Sequence, residues 1–202
     1  MMTSKSVHVR GGQPNYKRKL QENLEKILSN NLSFEDHESN NELHQSIIDG
    51  DLDTFKSIVQ KEGFIHTDMI NVRNMEGKSP LFLMVEYCRK DMFDLIMELK
   101  YYEYMDLYSK DSLDGCTALH KACMIENVHF IKTIFDIEGE LCMVPNFLGR
   151  SPFYIACQKQ NMEILDIFKD WKSKAIVVQD YSGENMLFVC AREGNVEMFH
   201  WF

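Results

Sequence analysis

The sequence lacks the motifs that mark the commoner catalytic and metal-binding sites. It contains neither a phosphate-binding glycine loop nor the Gly-x-Ser-x-Gly turn of serine hydrolases. None of its six cysteines forms a Cys-x-x-Cys pair, and no cysteine–histidine cluster has the spacing of zinc ligands. We therefore expect no catalytic residues, no metal site and no cofactor, and we expect that the chain is not an enzyme.

Basic residues are also scarce relative to acidic ones. The chain has 22 lysines and arginines against 31 aspartates and glutamates, a net charge of −9, which argues against nonspecific binding to nucleic acid. No apolar run approaches the roughly 18–20 residues of a membrane helix, so no membrane insertion is expected. The sequence starts without the apolar core of a signal peptide, which predicts reduced cysteines in the cytoplasm or the nucleus.

The chain instead contains an internal repeat. Residues 115–132 read GCTALHKACMIENVHFIK, and 34 positions later residues 149–166 read GRSPFYIACQKQNMEILD. Similar segments start at Gly77 and Gly183, and an earlier one has Ser39 in place of the glycine. The steps between the five anchors are 38, 38, 34 and 34 residues, which indicates five copies of one structural unit.

Each copy has the pattern of two short helices. In the third copy, Leu119, Ala122 and Cys123 lie on one side of a first helix, and a second apolar face follows from Val128. A hydroxyl residue opens the first helix in three copies, followed twice by proline. Polar pairs such as Glu126-Asn127 separate the two helices, as a short turn does. One such helix pair cannot bury its own apolar faces, so it needs neighbours on both sides.

The unit resembles the ankyrin repeat. Residues 115–123 match its Gly-x-Thr-Pro-Leu-His-x-Ala-Ala signature most closely, and residues 149–157 are a near match. The resemblance implies an all-α solenoid in which His44 and His120 have structural roles. An aromatic residue replaces this histidine in the other copies, at Phe82, Tyr154 and Phe188.

The resemblance and the flanking composition together predict the domain organisation. Residues 1–19 form a basic, disordered arm, residues 20–32 a capping helix, and residues 33–42 an acidic linker into the repeats. The ankyrin-like domain covers residues 33–202, with units near 39–68, 74–108, 112–143, 146–177 and 180–202. The last unit stops in its second helix, at Trp201 and Phe202, without a polar cap. Either further repeats or domains follow, which is the favoured interpretation, or these aromatic side chains meet another surface.

Cys123 and Cys157 occupy the same position of the repeat and have two interpretations. Paired thiols are compatible with redox chemistry. The favoured interpretation is that this position requires a small residue where two first helices touch, and that cysteine serves there as a small hydrophobe. No basic residue lies beside them in sequence to lower a thiol pKa.

Ankyrin-like stacks bind partners through loop tips and the exposed side of the first helices. Carried over position by position, this resemblance implies a protein-binding surface. The expected binding residues are Met75, Lys78, Glu86, Tyr87, Leu113, Met124, Ile125, Phe147, Leu148, Arg150, Gln158, Lys159, Tyr181 and Arg192.

Two parts of this surface stay open to interpretation. Large apolar side chains such as Phe147 and Leu148, rimmed by Arg150 and Lys159, have the composition of an interface, but they can equally tuck against the neighbouring loop. The tyrosines of residues 101–108 lie in an insertion of about one helical turn. They serve either as partner anchors or as cover for a longer second helix.

The expected function is a protein-interaction module or scaffold whose partner is another protein. The alternative is the N-terminal regulatory part of a larger enzyme or membrane protein, such as an acyltransferase, a channel or a kinase. In that case the activity lies beyond residue 202.

Overall fold

The computed structural model describes residues 34–64 and 68–202, with side chains from residue 42 onward. The chain divides into two compact units, Met1–Ser39 and Asn40–Phe202, and of the first only residues 34–39 are described. The predicted basic arm and capping helix lie outside the described residues. Within the described part of the chain, every regular element is helical.

The described residues form eleven α-helices and four short 3-10 helices. The α-helices are α1 (Phe34–Asp49), α2 (Leu52–Val59), α3 (Pro80–Glu86), α4 (Lys90–Glu98), α5 (Ala118–Met124), α6 (Val128–Ile137), α7 (Pro152–Lys159), α8 (Met162–Ile167), α9 (Lys172–Ala175), α10 (Met186–Glu193) and α11 (Val196–Trp201). The 3-10 helices are Met69–Asn71, Tyr101–Tyr104, Gly139–Met143 and Lys169–Trp171.

The helices occur as five pairs: α1/α2, α3/α4, α5/α6, α7/α8 and α10/α11. In the last four pairs, the residue before the first helix caps it, since its side-chain oxygen accepts the N–H three positions on. These bonds are Phe82 N–H to Ser79 Oγ (3.3 Å), His120 N–H to Thr117 Oγ1 (3.5 Å), Tyr154 N–H to Ser151 Oγ (3.2 Å) and Phe188 N–H to Asn185 Oδ1 (3.1 Å). Asn185 therefore performs the same task as the serines and the threonine.

The turn between the helices of a pair is also shared. One residue in each turn has a left-handed backbone, after which the second helix starts. These residues are Gly50 (φ 79°), Cys88 (φ 54°), Glu126 (φ 56°), Gln160 (φ 56°) and Gly194 (φ 65°). The spacing of these positions equals that of the sequence repeat, so the repeat is also a repeat of backbone conformation.

One sequence-based expectation about the ends of the helix pairs is wrong. Helix α1 begins at Phe34, inside the predicted acidic linker, and residues 34–49 contain no glycine or proline to interrupt it. Trp201 and Phe202 are half-buried: their rings lie 6.2 and 6.1 Å from that of Phe153. The Trp201 indole N–H also donates to Asp166 Oδ1 at 2.8 Å.

Successive pairs pack side by side in chain order. The first helices contact one another from α3 to α5, from α5 to α7 and from α7 to α10, while α2 packs on α4 and α6 on α8. One position faces this packing in four pairs and is completely buried each time: Ile47, Val85, Cys123 and Cys157. Burial raises the pKa of the Cys123 thiol well above its ordinary value, so the site favours a small neutral side chain over a reactive thiolate.

Candidate protein-binding surface

The loops that join consecutive pairs are tight turns with a common construction. An Asn or Asp stands three or four residues before each anchor glycine: Asn74, Asp111, Asn146 and Asp180. Its side-chain oxygen accepts backbone N–H bonds from inside the loop, for example from Leu148 and Arg150 to Asn146 Oδ1, both at 3.0 Å. Its own N–H donates across the loop, as from Asn146 to the Arg150 carbonyl at 2.9 Å. These turn-forming residues were missed in the sequence, although their spacing to the glycine was the available signal.

Neighbouring loops are hydrogen-bonded to one another. Ser112 N–H donates to the Glu76 carbonyl at 3.0 Å, Phe147 N–H to Asp114 at 2.8 Å, and Tyr181 N–H to Leu148 at 3.1 Å. These bonds hold the four loops in one row. We call the large side chains that project from it the loop-tip row: Met75 (103% exposed), Leu113 (71%), Phe147 (57%), Leu148 (55%) and Tyr181 (77%).

Two members of the loop-tip row rest on the glycine of the preceding loop. Gly115 and Gly149 have φ of +68° and +78°, and a Cβ built on them would lie 2.4 Å from the Phe147 ring and 2.7 Å from the Tyr181 ring. One edge of the Phe147 ring therefore lies against the neighbouring loop while more than half of the side chain stays exposed, and its role in an interface stays a prediction.

The residues that follow the glycines turn inward instead of projecting. Lys78 keeps 13% of its side chain exposed and bonds Glu76 at 2.7 Å and Glu86 at 2.8 Å. Lys121 bonds the other oxygen of Glu86 at 3.0 Å. Burial alone would raise the pKa of Glu86, but the hydrogen bonds from both lysines outweigh it and lower that pKa. Lys78 and Glu86, expected as binding residues, are therefore held within the fold.

Arg150 is likewise bound to the next loop. Its Nε donates to Asp180 Oδ2 at 3.1 Å, and its guanidinium lies 5.5 Å from the centre of the Tyr154 ring. Burial favours a raised pKa for Asp180, but hydrogen bonds from Ser182 and Arg150 prevail and lower it to about 2. Arg150, one of the two residues of the predicted basic rim, is thus engaged in a link between consecutive loops.

The first helices contribute less exposed surface than expected. Tyr87 is exposed, whereas Met124, Ile125 and Gln158 are half-buried, the first two packed against the core. Lys159 and Arg192 are exposed, but both lie near acidic partners: Lys159 is 3.9 Å from Glu126, and Arg192 is 2.6 Å from Glu184. The predicted residues thus divide into an exposed apolar row, half-buried side chains of the first helices, charged side chains paired within the fold, and the exposed Tyr87.

The tyrosine insertion contributes mainly to packing. The Tyr101 hydroxyl donates to the Val59 carbonyl at 3.1 Å, and its ring stacks on Phe64 with centroids 5.7 Å apart. Tyr104 remains half exposed. Tyr101 therefore ties the 3-10 helix after α4 to the end of α2. For this residue, the interpretation that the tyrosines cover the longer second helix holds.

Comparison with known proteins gives a distant relative. No family model matches the sequence. The chain is similar to the I-Kappa-B like protein C2 of Microplitis demolitor bracovirus (isolate Webb), with 28% identity over 122 residues. The match covers 59% of this chain and 65% of the relative, slightly less than two thirds of its length. It supports ankyrin-like repeats, with which the all-helical fold is compatible.

The described residues offer little for metal binding or membrane insertion. Residues 34–64 and 68–202 contain no group of three or more histidine, cysteine or acidic side chains placed to hold a metal ion. In the same ranges, no helix combines the length and apolar composition required to cross a bilayer.

Proposed function

We propose that the chain is a protein-interaction module built from five ankyrin-like units, near residues 39–68, 74–108, 112–143, 146–177 and 180–202. It binds a partner protein through the loop-tip row and the adjoining exposed side of the first helices. The observation that carries the proposal is the row itself, in which five large apolar side chains project from four consecutive hydrogen-bonded loops.

The energetics of the row favour binding. Contiguous exposed apolar side chains commonly mark interaction surfaces, and aromatic anchors such as Phe147 and Tyr181 contribute large contact areas. The hydrogen bonds between the loops fix the backbone beneath them before a partner arrives. Less conformational entropy is then lost on binding, which raises the affinity that a given contact area provides.

Several positive charges near the row are already paired within the fold. Lys78, Lys121 and Arg150 are each paired with an acidic side chain of the fold. A partner therefore meets few unpaired positive charges near the row, while Asp114 is exposed beside it and bonds its neighbours within the described residues through its backbone. We propose a protein partner with an apolar contact surface, in a cytoplasmic or nuclear compartment that keeps the cysteines reduced.

The test is a pair of charge substitutions in the row. We expect Leu113→Glu together with Phe147→Glu to abolish recovery of the partner by pull-down or proximity labelling. The substitutions replace exposed side chains, so the free energy of unfolding should change by no more than about 0.5 kcal/mol for each. The Phe147 main-chain bond to Asp114 does not depend on the side chain and should survive.

Val177→Glu is the matched control, because Val177 is as exposed as the residues of the row but lies outside it. This variant should recover the same partner as the parent chain. Equal recovery by the double variant, or loss of the partner with the control alone, would reject the loop-tip row as the binding surface.

A further inference from the structure

A cleft opens between the second helices of the second and third pairs. It has a volume of about 480 Å³ and is lined by Met97, Tyr102, Thr133, Asp136 and Ile137. Met97 comes from the last turn of α4, Tyr102 from the 3-10 helix that follows it, and the other three residues from α6. The volume lies within the range of pockets that bind ligands. We call these five residues the second-helix cleft.

The next interface along the chain carries aromatic rings at the equivalent positions. Met97 and Ile137 correspond to Phe135 and Trp171, which follow them by the repeat steps of 38 and 34 residues. Both rings converge on Gly139, where a Cβ would lie 3.6 Å from the Phe135 ring and 3.6 Å from the Trp171 indole nitrogen. Between the second and third pairs, the smaller side chains leave the space open. The second-helix cleft therefore has room for an aromatic ring.

The apolar walls of the cleft are only partly covered. Met97, Tyr102 and Ile137 are half-buried, whereas the helices beneath them are anchored by completely buried residues such as Ile96 and Ile131. An aromatic ring in the cleft would remove the remaining apolar area from water, which favours binding. The helices that hold the walls are already packed, so little conformational entropy is lost when the ring enters.

The rim of the cleft provides acceptors for an N–H group. Asp136 is exposed, and the Thr133 hydroxyl donates its hydrogen to the His129 carbonyl at 2.9 Å, so its oxygen can accept a further bond. An indole nitrogen is a donor only. The chain already pairs an indole with a carboxylate between α8 and α11, where the Trp201 N–H donates to Asp166 Oδ1 at 2.8 Å.

Other side chains match the cleft less well. A leucine or phenylalanine would fill the apolar space but offers no donor to the rim. A lysine or arginine would compete with Lys132, which is exposed one turn before Asp136 on the same face of α6. An indole combines the required ring with a single neutral donor.

We propose that the second-helix cleft is a second docking site, specific for a tryptophan side chain of a partner protein. The ring packs against Met97 and Ile137, and its N–H donates to Asp136. The cleft shares no residue with the loop-tip row, so the two sites can be tested separately.

The experiment uses the full 202-residue chain with carbon-13-labelled methionine methyl groups. The probe is the blocked peptide acetyl-Gly-Ala-Trp-Ala-Gly-amide, and a matched peptide has leucine in place of tryptophan. The Met97 methyl signal, assigned through Met97→Leu, should shift saturably with the tryptophan peptide, with a dissociation constant of about 1 mM or tighter. The leucine peptide should bind at least about tenfold more weakly.

Two variants test the cleft itself. Ile137→Trp introduces the residue that the next interface carries at this position, so it should fill the cleft and abolish the Met97 shift. Asp136→Ala removes the acceptor and should weaken binding at least about threefold. Leu113→Glu, in the loop-tip row, is the matched control and should leave the peptide affinity unchanged. Circular dichroism melts check folding, and Asp136→Ala, at an exposed position, decides the question if Ile137→Trp does not fold.

Several results would overturn the proposal. One is the absence of a Met97 shift at about 5 mM tryptophan peptide, several times the expected dissociation constant. Equal binding of the two peptides, or an affinity that neither cleft variant lowers, has the same meaning. If free indole shifts the Met97 signal while the peptide does not, the cleft takes a small aromatic compound instead of a protein side chain. None of these results affects the loop-tip row, whose partner recovery is measured separately.

Discussion

His120 shows how a single side chain joins two helix pairs. Its Nδ1 accepts the Thr117 N–H at 3.0 Å, so Nε2 carries the proton and donates to the Arg150 carbonyl of the next loop at 3.0 Å. Tyr154 holds the same position in the next pair, and its hydroxyl donates to Glu184 Oε2 at 3.2 Å. An imidazole in one pair and a phenol hydroxyl in the next thus each donate a hydrogen bond from the start of a first helix to the following loop.

The buried histidine predicts a pH-dependent stability. Burial lowers the pKa of His120 to about 4, so between pH 6.5 and 4 the unfolded chain binds the additional proton. The contribution of neutral, buried His120 to the free energy of unfolding is therefore complete above pH 6.5 and is lost as the pH falls toward 4. We expect His120 alone to lower the free energy of unfolding by about 3 kcal/mol between pH 6.5 and pH 4. Urea denaturation at a series of pH values measures this change.

His120→Phe isolates this effect, because Phe82 occupies the same position in another pair. The variant should be less stable at pH 7, since the Arg150 carbonyl loses its donor, but its stability should fall less steeply with acid. His44, whose pKa burial also lowers, leaves a residual slope. An unchanged slope in the variant would show that His120 does not titrate as proposed.

Residue identity predicts caps and core positions well, but it does not predict side-chain direction in the loops. Ser79, Thr117 and Ser151 cap their helices as expected. Lys78 and Arg150 were expected to project, yet their side chains are paired within the fold, Lys78 with Glu76 and Glu86 and Arg150 with Asp180. The loop backbone beneath them is held by Asn74 and Asn146, whose spacing to the anchor glycine was the sequence signal available for these turns.

At the scale of elements, the turn inside each pair fixes where the second helix starts. Two of the five left-handed positions are glycine, at Gly50 and Gly194, while Cys88, Glu126 and Gln160 adopt the same conformation with a side chain. A left-handed backbone costs a residue with a side chain roughly 1–2 kcal/mol relative to the right-handed one. The non-glycine turns are therefore local strain that the surrounding helices tolerate.

Cys88→Gly should relieve that strain and stabilise the chain. Cys88 is exposed and has φ of 54°, so little packing is lost on substitution. Part of the gain is offset because glycine makes the unfolded chain more flexible. We expect a net increase of about 0.5–1 kcal/mol in the free energy of unfolding by urea titration.

Cys88→Ala is the control for loss of the thiol and should be close to neutral, since alanine keeps the Cβ in the same conformation. If the two variants are equally stable, the left-handed backbone of this turn carries no strain.

Helix existence and pairing could be predicted because apolar spacing and capping residues are local properties of the sequence. The bonds between loops could not, since Ser112 and Glu76 lie in different helix pairs and meet only after the pairs have packed. The partial burial of Met124 and Ile125 has the same origin: it depends on how closely the neighbouring first helices approach. The apolar loop tips were predictable because nothing in the repeat places them inside.

At the scale of the whole Asn40–Phe202 unit, burial changes along the chain. Inner pairs are covered on both sides, whereas the fifth pair is packed on α7 and leaves Phe188 and Phe199 exposed. In an array of repeated units, the free energy of unfolding is approximately a sum of the intrinsic stability of each helix pair and the interaction free energy between neighbouring pairs. Among the described residues the fifth pair has a neighbour on one side, so in a polypeptide of these 202 residues we expect it to open first.

A leucine at one position of the repeat tests this gradient. Leu119 is completely buried in the third pair, and Leu187 holds the same position in the fifth pair but is only half-buried. Leu119→Ala should lower the free energy of unfolding by about 2–5 kcal/mol, because it removes a packed side chain between two covered faces. Leu187→Ala should cost about 1 kcal/mol or less, since solvent already reaches part of the side chain.

Hydrogen exchange of the parent chain should show lower protection in α10 and α11 than in α5 and α6. Equal losses for both variants, with equal protection of the four helices, would mean that the chain opens as one cooperative body and that the fifth pair is as strongly held as the third.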